Sequence, residues 1–179
     1  MAAWPTDLYE GRMVERFRQG DPEALSALFD MHVDRVYAYA RHIVGNREDA
    51  EEIASESFMR AFRKAVDYRG EGPFRGWLFG ITRNLCRDRL KQPRLLTVSD
   101  IIGDLESEPE SSPLHEDVRM AMRDLPEEYR DVLILCEVEQ WDAREAADIL
   151  EKSVAATKSL LYRARRALRD KLTERWKES

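Results

Sequence analysis

Apolar residues recur every three or four positions along most of the chain, which is the spacing of one face of an α-helix. The clearest run of such positions consists of Leu25, Leu28, Phe29, His32, Val33, Val36, Tyr37, Ala40 and Ile43. Asp21 and Pro22 precede this run as a predicted N-cap and first helical residue, and Gly45 follows it as a predicted stop. No segment alternates with the period of two that a half-buried strand shows. The pattern therefore predicts an all-α protein.

The same spacing divides the N-terminal half into four predicted helices. The first covers residues 7–18, the second follows Asp21, and the third begins where Asn46 and Asp49 resemble a capping box. Residues 67–73 contain two glycines and a proline, which predicts a loop before the fourth helix at residues 74–91. The predicted buried positions of the third and fourth helices are Ala50, Ile53, Ala54, Ser57, Phe58, Ala61, Phe62, Ala65, Trp77, Leu78, Ile81 and Leu85.

The helical periodicity disappears between residues 92 and 113, where proline, serine and acidic residues are frequent. That composition predicts a flexible acidic linker. Beyond it, four further helices are predicted at residues 114–124, 126–139, 142–150 and 153–172. Pro126 would be the first residue of the second of these, Asp142 with Glu145 would cap the third, and Ser153 would cap the fourth. The chain is thus predicted to form two helical domains, residues 1–91 and 114–179, joined by residues 92–113.

Residues 142–169 have the order of a helix-turn-helix: a short helix, a three-residue turn and a longer helix. The turn has Glu151 where such motifs usually have glycine, because the backbone there tends toward positive φ. The predicted buried face of the longer helix is Val154, Thr157, Leu161, Ala164, Leu168 and Leu172. Its outward face is Ala155, Ala156, Lys158, Ser159, Tyr162, Arg163, Arg166 and Arg169. The alternative is an amphipathic helix with a solvated basic end.

The charges are distributed unevenly along the chain. The net charge is −6, which is the wrong sign for a protein that binds DNA by itself. Basic residues nevertheless predominate among the charged residues of segments 60–94 and 152–179, whereas segment 100–117 contains acidic residues and no lysine or arginine. Two basic surfaces separated by an acidic segment suggest two contacts with nucleic acid.

Several classes of protein are disfavoured by what the sequence lacks. No apolar run approaches the ~20 residues that span a bilayer, and the N-terminus does not resemble a signal peptide, so we expect a cytoplasmic protein without membrane insertion. Cys86 and Cys136 lie in apolar periodic segments and are expected to be buried free thiols. No motif for catalysis, a metal or a phosphate-bearing cofactor is present, so we expect a non-enzyme without cofactors.

Four segments together resemble one protein family. DAEEIASESFMRAFRKA (residues 49–65) and FRGWLFGITRNLCRDRL (residues 74–90) are similar to domain two of extracytoplasmic-function (ECF) sigma factors. LPEEYRDVLIL (residues 125–135) and KSLLYRARRALR (residues 158–169) are similar to domain four. The resemblance covers about residues 21–172, with the segments in the family's order. It implies that the partners are core RNA polymerase, promoter DNA and an anti-sigma factor, which in many relatives is tethered to the membrane.

The resemblance also implies roles for individual residues. Core polymerase would be bound by the positions Asp49, Glu52, Ser55 and Glu56, which are expected to be exposed. The −10 promoter element would be bound and melted by Tyr68, Arg69, Arg75, Arg83, Asn84, Arg87 and Lys91, with Arg83, Arg87 and Lys91 as one basic stripe. The −35 element would be bound by Ser153, Ala155, Ala156, Lys158, Ser159, Tyr162, Arg163 and Arg166. Leu160 is expected to face partly outward, and Trp77 is expected to belong to the core.

Two other functions remain open on the sequence. A DNA-binding regulator that acts without polymerase would need only the C-terminal half of the chain. A helical interaction protein, such as a signalling adaptor, would show no promoter-dependent activity. The first of these alternatives leaves the similarity of the N-terminal half unexplained.

Overall fold

The computed structural model describes residues 5–70, 72–92 and 113–178 of the 179-residue chain. Every regular element within these ranges is helical, which confirms the all-α prediction. The chain divides into two compact units, residues 1–92 and 93–179. The predicted linker lies almost entirely in residues 93–112, outside the described residues.

Within its described residues, the first unit contains four α-helices and one short 3₁₀ turn. In chain order these are α1 (Pro5–Arg18), α2 (Pro22–Val44), α3 (Arg47–Arg63), the 3₁₀ turn Ala65–Asp67, and α4 (Phe74–Lys91). Helix α2 packs against α1, α3 and α4, and α3 also packs against α4. The unit is therefore arranged around α2.

Local hydrogen bonds explain where α2 begins and ends and where α3 begins. The Asp21 side chain accepts a hydrogen bond from the Glu23 N–H at 2.9 Å, which confirms the predicted cap. Gly45 ends α2 with a φ of 82° and donates its N–H to the Arg41 carbonyl at 3.0 Å. The Asn46 Oδ1 accepts from the Asp49 N–H at 2.8 Å at the start of α3. These caps confirm the predicted start and end of α2 and the start of α3.

The core of the first unit differs in part from the predicted apolar face of α2. Fully buried side chains from α1, α2 and α4 form its centre, namely Phe17, Leu28, Val36, Tyr39, Leu78 and Phe79. The predicted core residue Phe29 is exposed, although its ring centroid lies 4.7 Å from that of Phe58. Tyr39, which was not predicted, is fully buried against Phe79. Because α2 contacts three helices, its buried surface is wider than one stripe and is turned toward Tyr39.

The second unit contains α5 (Pro113–Arg123), α6 (Glu127–Leu133), α7 (Ala143–Leu150) and α8 (Val154–Glu178). Helix α6 continues into a wider π-helical turn, Ile134–Val138. Helix α8 packs against α5, α6 and α7. The predicted capping box of α7 is present, because Asp142 accepts from the Glu145 N–H and Glu145 accepts from the Asp142 N–H. Pro126 is the N-cap residue of α6 rather than its first helical residue.

Helix α8 differs from its prediction in orientation and in length. Leu160, which was expected to face partly outward, is only 3% exposed, and Val154, which was expected in the core, is 38% exposed. The buried positions Thr157, Leu160 and Ala164 are spaced by three and four residues and form one face against α6 and α7. The helix also continues past residue 172 to Glu178.

The C-terminal end of α8 is bonded to α5. The Trp176 Nε1 donates a hydrogen bond to the Asp117 carboxylate at 3.1 Å, and the Arg175 Nε lies 3.5 Å from the other oxygen of Asp117. The Trp176–Asp117 hydrogen bond joins residues 59 positions apart in the sequence. These contacts account for the continuation of α8 beyond its predicted end.

The turn between α7 and α8 adopts the left-handed conformation at Glu151, with φ 54° and ψ 42°. A residue with a Cβ is strained there, so we expect Glu151→Gly to raise the free energy of unfolding by about 0.5–1 kcal/mol. Urea denaturation of the two proteins measures the difference. Glu151→Ala, which removes the same side chain but keeps the Cβ, should give no such gain. Equal stabilisation by both variants would show that the Glu151 side chain, not its backbone, is the source of strain.

Cys86 is a buried free thiol, as predicted, and Cys136 is a half-buried one. Burial raises the pKa of the Cys136 thiol, which keeps it protonated near neutral pH. Among the described residues, no helix has the length and apolar content required to cross a bilayer.

Candidate functional site

The acidic face of α3 contains three of the four residues predicted to bind polymerase. Glu52 and Ser55 are exposed and Glu56 is half-buried. Asp49 is 7% exposed, so the prediction that it lies on the exposed face is wrong. The reason is tertiary, because Asp49 lies in the first turn of α3 beside the last turn of α4 and is covered by Arg89.

Asp49 uses both of its carboxylate oxygens within the protein. Its Oδ2 accepts a hydrogen bond from the Asn46 Nδ2 at 2.6 Å, and its Oδ1 accepts one from the Arg89 Nη2. The hydrogen bond that Arg89 donates to the Asp49 carboxylate raises the pKa of the Arg89 guanidinium above its usual value. The same Nη2 lies 3.6 Å from the Glu52 carboxylate. Asp49 therefore lies beneath the acidic face of α3, where Arg89 links it to Glu52.

Glu56 forms an ion pair with arginines of its own helix. Its Oε1 lies 2.8 Å from the Arg60 Nε and 3.8 Å from the Arg63 Nη1. The hydrogen bond from Arg60 is the main reason that the pKa of Glu56 is below its usual value. Glu56 therefore remains ionised well below neutral pH, with part of its charge balanced within α3.

A groove of about 440 Å³ runs between α3 and α4 beside the acidic face. Ile53 and Leu85, which are both buried, supply apolar surface to it, and the exposed Met59 adds to that surface. The other lining residues are Glu52, Ser55, Glu56, Arg60, Asp88, Arg89 and Gln92. Met59 was not predicted to belong to this surface, although its position three residues after Glu56 and four after Ser55 places it on the same helical face.

The loop after α3 holds Tyr68 in an aromatic cluster rather than in solvent. The Tyr68 ring lies 4.9 Å from Trp77 and packs edge-on against Phe74 at 5.8 Å. Its hydroxyl donates to the Gly72 carbonyl at 2.6 Å, and burial raises the pKa of the Tyr68 phenol. Trp77 is half-buried and also contacts Phe17 of α1, in agreement with its predicted core position. The ring of Tyr68 is therefore covered by other side chains of the protein.

The remaining residues predicted to bind the −10 element differ in exposure. Arg69, Asn84 and Lys91 are exposed, and Arg75 and Arg87 are half-buried. Arg83 is only 6% exposed, so the prediction of a continuous surface stripe with Arg87 and Lys91 is wrong. Residues four apart on a helix are offset by about 40°, so Arg83 and Lys91 differ by about 80° around α4. That rotation turns Arg83 toward the core.

All eight residues predicted to bind the −35 element are exposed on the N-terminal half of α8 or at its cap. They are Ser153, Ala155, Ala156, Lys158, Ser159, Tyr162, Arg163 and Arg166. The Ser153 Oγ accepts from the Ala156 N–H at 3.2 Å, and Tyr162 is 70% exposed. Two neighbouring basic residues instead form ion pairs within the protein. Lys152 lies 2.9 Å from Glu128 of α6, and Arg165 lies 2.6 Å from Glu137 of the π-helical turn. The face thus combines small residues near its start with unburied cations farther along.

Comparisons with known proteins match both units. The family model Sigma-70 region 2 matches residues 28–94, and the family model Sigma-70, region 4 matches residues 115–168. The ECF RNA polymerase sigma factor SigM of Bacillus subtilis is 31% identical over 152 residues, which cover 81% of this chain and 93% of SigM. The chain belongs to the ECF sigma factors. SigE of Mycolicibacterium smegmatis, another ECF RNA polymerase sigma factor, is 31% identical over 173 residues, covering 89% of this chain and 67% of SigE.

Solved structures of sigma factors share the fold of this ECF sigma factor. CnrH, solved in complex with the cytosolic domain of CnrY, superposes with a TM-score of 0.73 at 24% identity and covers 90% of this chain and 96% of its own. RpoE, solved with the anti-sigma factor NepR from Bartonella quintana, gives a TM-score of 0.66 at 20% identity. That alignment covers 83% of this chain and 96% of RpoE.

The candidate surfaces of this ECF sigma factor lie within the two matched regions. Region 2 contains the acidic face of α3, the Tyr68 loop and α4, and region 4 contains α5 to α7 and the exposed basic face of α8. Helix α1 and the last ten described residues of α8 lie outside both matches. The interactions of Phe17 and of Trp176 therefore involve residues outside the two family-model matches.

Proposed function

We propose that this sigma factor docks on core RNA polymerase through Glu52, Ser55 and Glu56 of α3, and that α4 and α8 bind the two promoter elements. The observation that carries the proposal is the separation of charge. The candidate polymerase face on α3 exposes carboxylates, whereas the candidate DNA face on α8 exposes cations. Carboxylates suit a basic protein surface, and cations suit phosphates and base edges. Polymerase would then supply much of the affinity that a protein of net charge −6 lacks for DNA.

At the −10 element, the proposed role is capture of a base from an opened strand. The exposed Asn84 amide can bond to the edge of an unstacked base, and Arg69 and Lys91 can neutralise nearby phosphates. The buried Tyr68 would act by fixing the loop, because its hydroxyl holds the Gly72 carbonyl while its ring packs on Trp77. This assignment gives Tyr68 a role in shaping the pocket instead of direct contact with DNA.

At the −35 element, the proposed role of α8 is insertion into the major groove. Ala155 and Ala156 are small and exposed at the start of the helix, so the backbone can approach the groove floor. Lys158 and Arg163, farther along the same helix, can reach phosphates or guanine edges. Lys152 and Arg165 are assigned to the protein itself, because each is paired with a carboxylate of another segment.

We further propose that the protein acts in the cytoplasm and is inhibited by an anti-sigma factor. CnrH and RpoE were each solved with a protein partner, CnrY and NepR, respectively. The groove between α3 and α4 offers an inhibitor the apolar surface of Ile53, Leu85 and Met59 beside Glu52. An inhibitor that bound there would compete directly with polymerase.

Transcription in vitro with purified bacterial core RNA polymerase and a library of promoter templates tests the proposal. We expect the full chain to direct transcription from a subset of templates with a common sequence at both elements. If no template is transcribed above the level of core polymerase alone, the proposed function is wrong and a helical adaptor becomes the better explanation. If binding to promoter DNA occurs equally well without core polymerase, the protein is a regulator that acts alone.

A further inference from the structure

Arg89 lies between the carboxylates of Asp49 and Glu52 on α3 but forms a hydrogen bond with only the first of these two. Its Nη2 donates to the Asp49 Oδ1, whereas the Glu52 Oε2 lies 3.6 Å away, beyond ordinary hydrogen-bond distance. The Glu52 side chain is 68% exposed. The carboxylate of Glu52 therefore faces solvent although a guanidinium lies next to it.

Three features of the fold favour Asp49 over Glu52 as the partner of Arg89. Asn46 holds the Asp49 carboxylate in place with a second hydrogen bond of 2.6 Å. Asp49 lies in the first turn of α3 and Arg89 in the last turn of α4, so each charge is favoured by the dipole of its own helix. Asp49 is also buried, so water screens its attraction to Arg89 less than it screens the attraction between Arg89 and the exposed Glu52.

We propose that Asp49 is a positioning residue for polymerase binding, which holds the Arg89 guanidinium and so keeps the Glu52 carboxylate available to polymerase. The inference rests on the proposed docking of polymerase on α3. Glu52 follows Asp49 by three residues, so the two side chains are neighbours on the helix and the guanidinium can move from one to the other. If Asp49 lost its charge, Arg89 would pair with Glu52 and neutralise the charge that polymerase requires.

The test compares Asp49→Asn with the double variant Asp49→Asn and Arg89→Gln in the full-length protein. Affinity for purified core RNA polymerase is measured by fluorescence anisotropy of a labelled chain, and thermal unfolding is followed in parallel. Asp49→Asn should weaken polymerase binding by about fivefold, because Arg89 then forms a solvent-exposed ion pair that polymerase must break. The double variant should regain most of that affinity even though its unfolding temperature stays below that of the unchanged protein. A purely structural role for Asp49 predicts the opposite, namely that the double variant binds no better than Asp49→Asn.

Two single variants separate a failure of this inference from a failure of the proposed function. Arg89→Gln alone should bind core polymerase about as well as the unchanged protein, and Glu52→Gln should bind more weakly with or without Arg89→Gln. If Glu52→Gln binds normally, polymerase does not dock on this face and the inference falls with the proposed docking. If Glu52→Gln binds weakly but Asp49→Asn binds normally, or is not rescued by Arg89→Gln, docking stands and the positioning role of Asp49 is wrong.

Discussion

Replacing Glu52 and Glu56 together by lysine should weaken binding to core RNA polymerase by about 100-fold, equivalent to about 2.7 kcal/mol. The two residues lie one turn apart on the acidic face of α3, with Glu52 exposed and Glu56 half-buried. Lysines at these positions would meet a basic partner surface, and like charges across an interface are strongly unfavourable. Titration of labelled protein with core polymerase measures the loss, and transcription from every responsive promoter should fall in parallel.

The matched control for this charge reversal is Asp170→Lys with Glu174→Lys. These two carboxylates are also exposed and four residues apart on one helix, α8, so the variant makes the same change in net charge. It should retain affinity for core polymerase within about threefold, because only the general charge of the protein has changed. Equal losses in the two variants would mean that net charge, not the face of α3, governs polymerase binding.

Replacing Lys158 and Arg163 by alanine should abolish most discrimination at the −35 element while leaving core binding intact. Both side chains are exposed on the N-terminal half of α8, and a good contact to a base edge contributes about 1–3 kcal/mol of discrimination. We expect the preference of holoenzyme for an intact over a scrambled −35 element to fall about 30-fold, equivalent to about 2 kcal/mol. Competition binding with the two promoter fragments at fixed salt measures this preference.

Arg165→Ala is the control on the same helix. Its guanidinium contacts the Glu137 carboxylate through both Nε and Nη2, at 2.8 and 2.6 Å. The Arg165→Ala variant should have a slightly lower free energy of unfolding and unchanged discrimination at the −35 element. If Lys158→Ala with Arg163→Ala lost core binding as strongly as −35 discrimination, the N-terminal half of α8 would have a structural role or a polymerase-binding role instead.

Features that depend on neighbouring residues in the sequence could be predicted. The caps at Asp21, Asn46 and Asp142 follow from side chains that bond to backbone N–H groups two or three residues away. The bounds of α4 agree with their prediction for a similar reason, since Pro73 precedes the helix and its apolar spacing ends near Lys91. These features involve only residues that are close in the sequence, so predicting them does not require knowledge of the tertiary packing.

The exposure of particular charged residues could not be predicted, because it depends on distant segments. Asp49 has the spacing of a surface carboxylate, but Arg89, forty residues later in the sequence, covers it. Arg83 has the spacing of a surface stripe, but α4 packs against two helices and turns that position inward. The burial of Leu160 likewise depends on how α8 is rotated against α6 and α7.

The contact of Arg175 and Trp176 with Asp117 has a practical consequence for work on the isolated second unit. A truncated protein that ended at residue 168, the last residue of the region 4 match, would lack both side chains that contact Asp117. Helix α5 would lose that attachment to α8, and low yield or aggregation of such a fragment would say nothing about its affinity for DNA. A fragment that extends to residue 178 retains both Arg175 and Trp176 and is the appropriate starting point for measuring DNA binding by this unit alone.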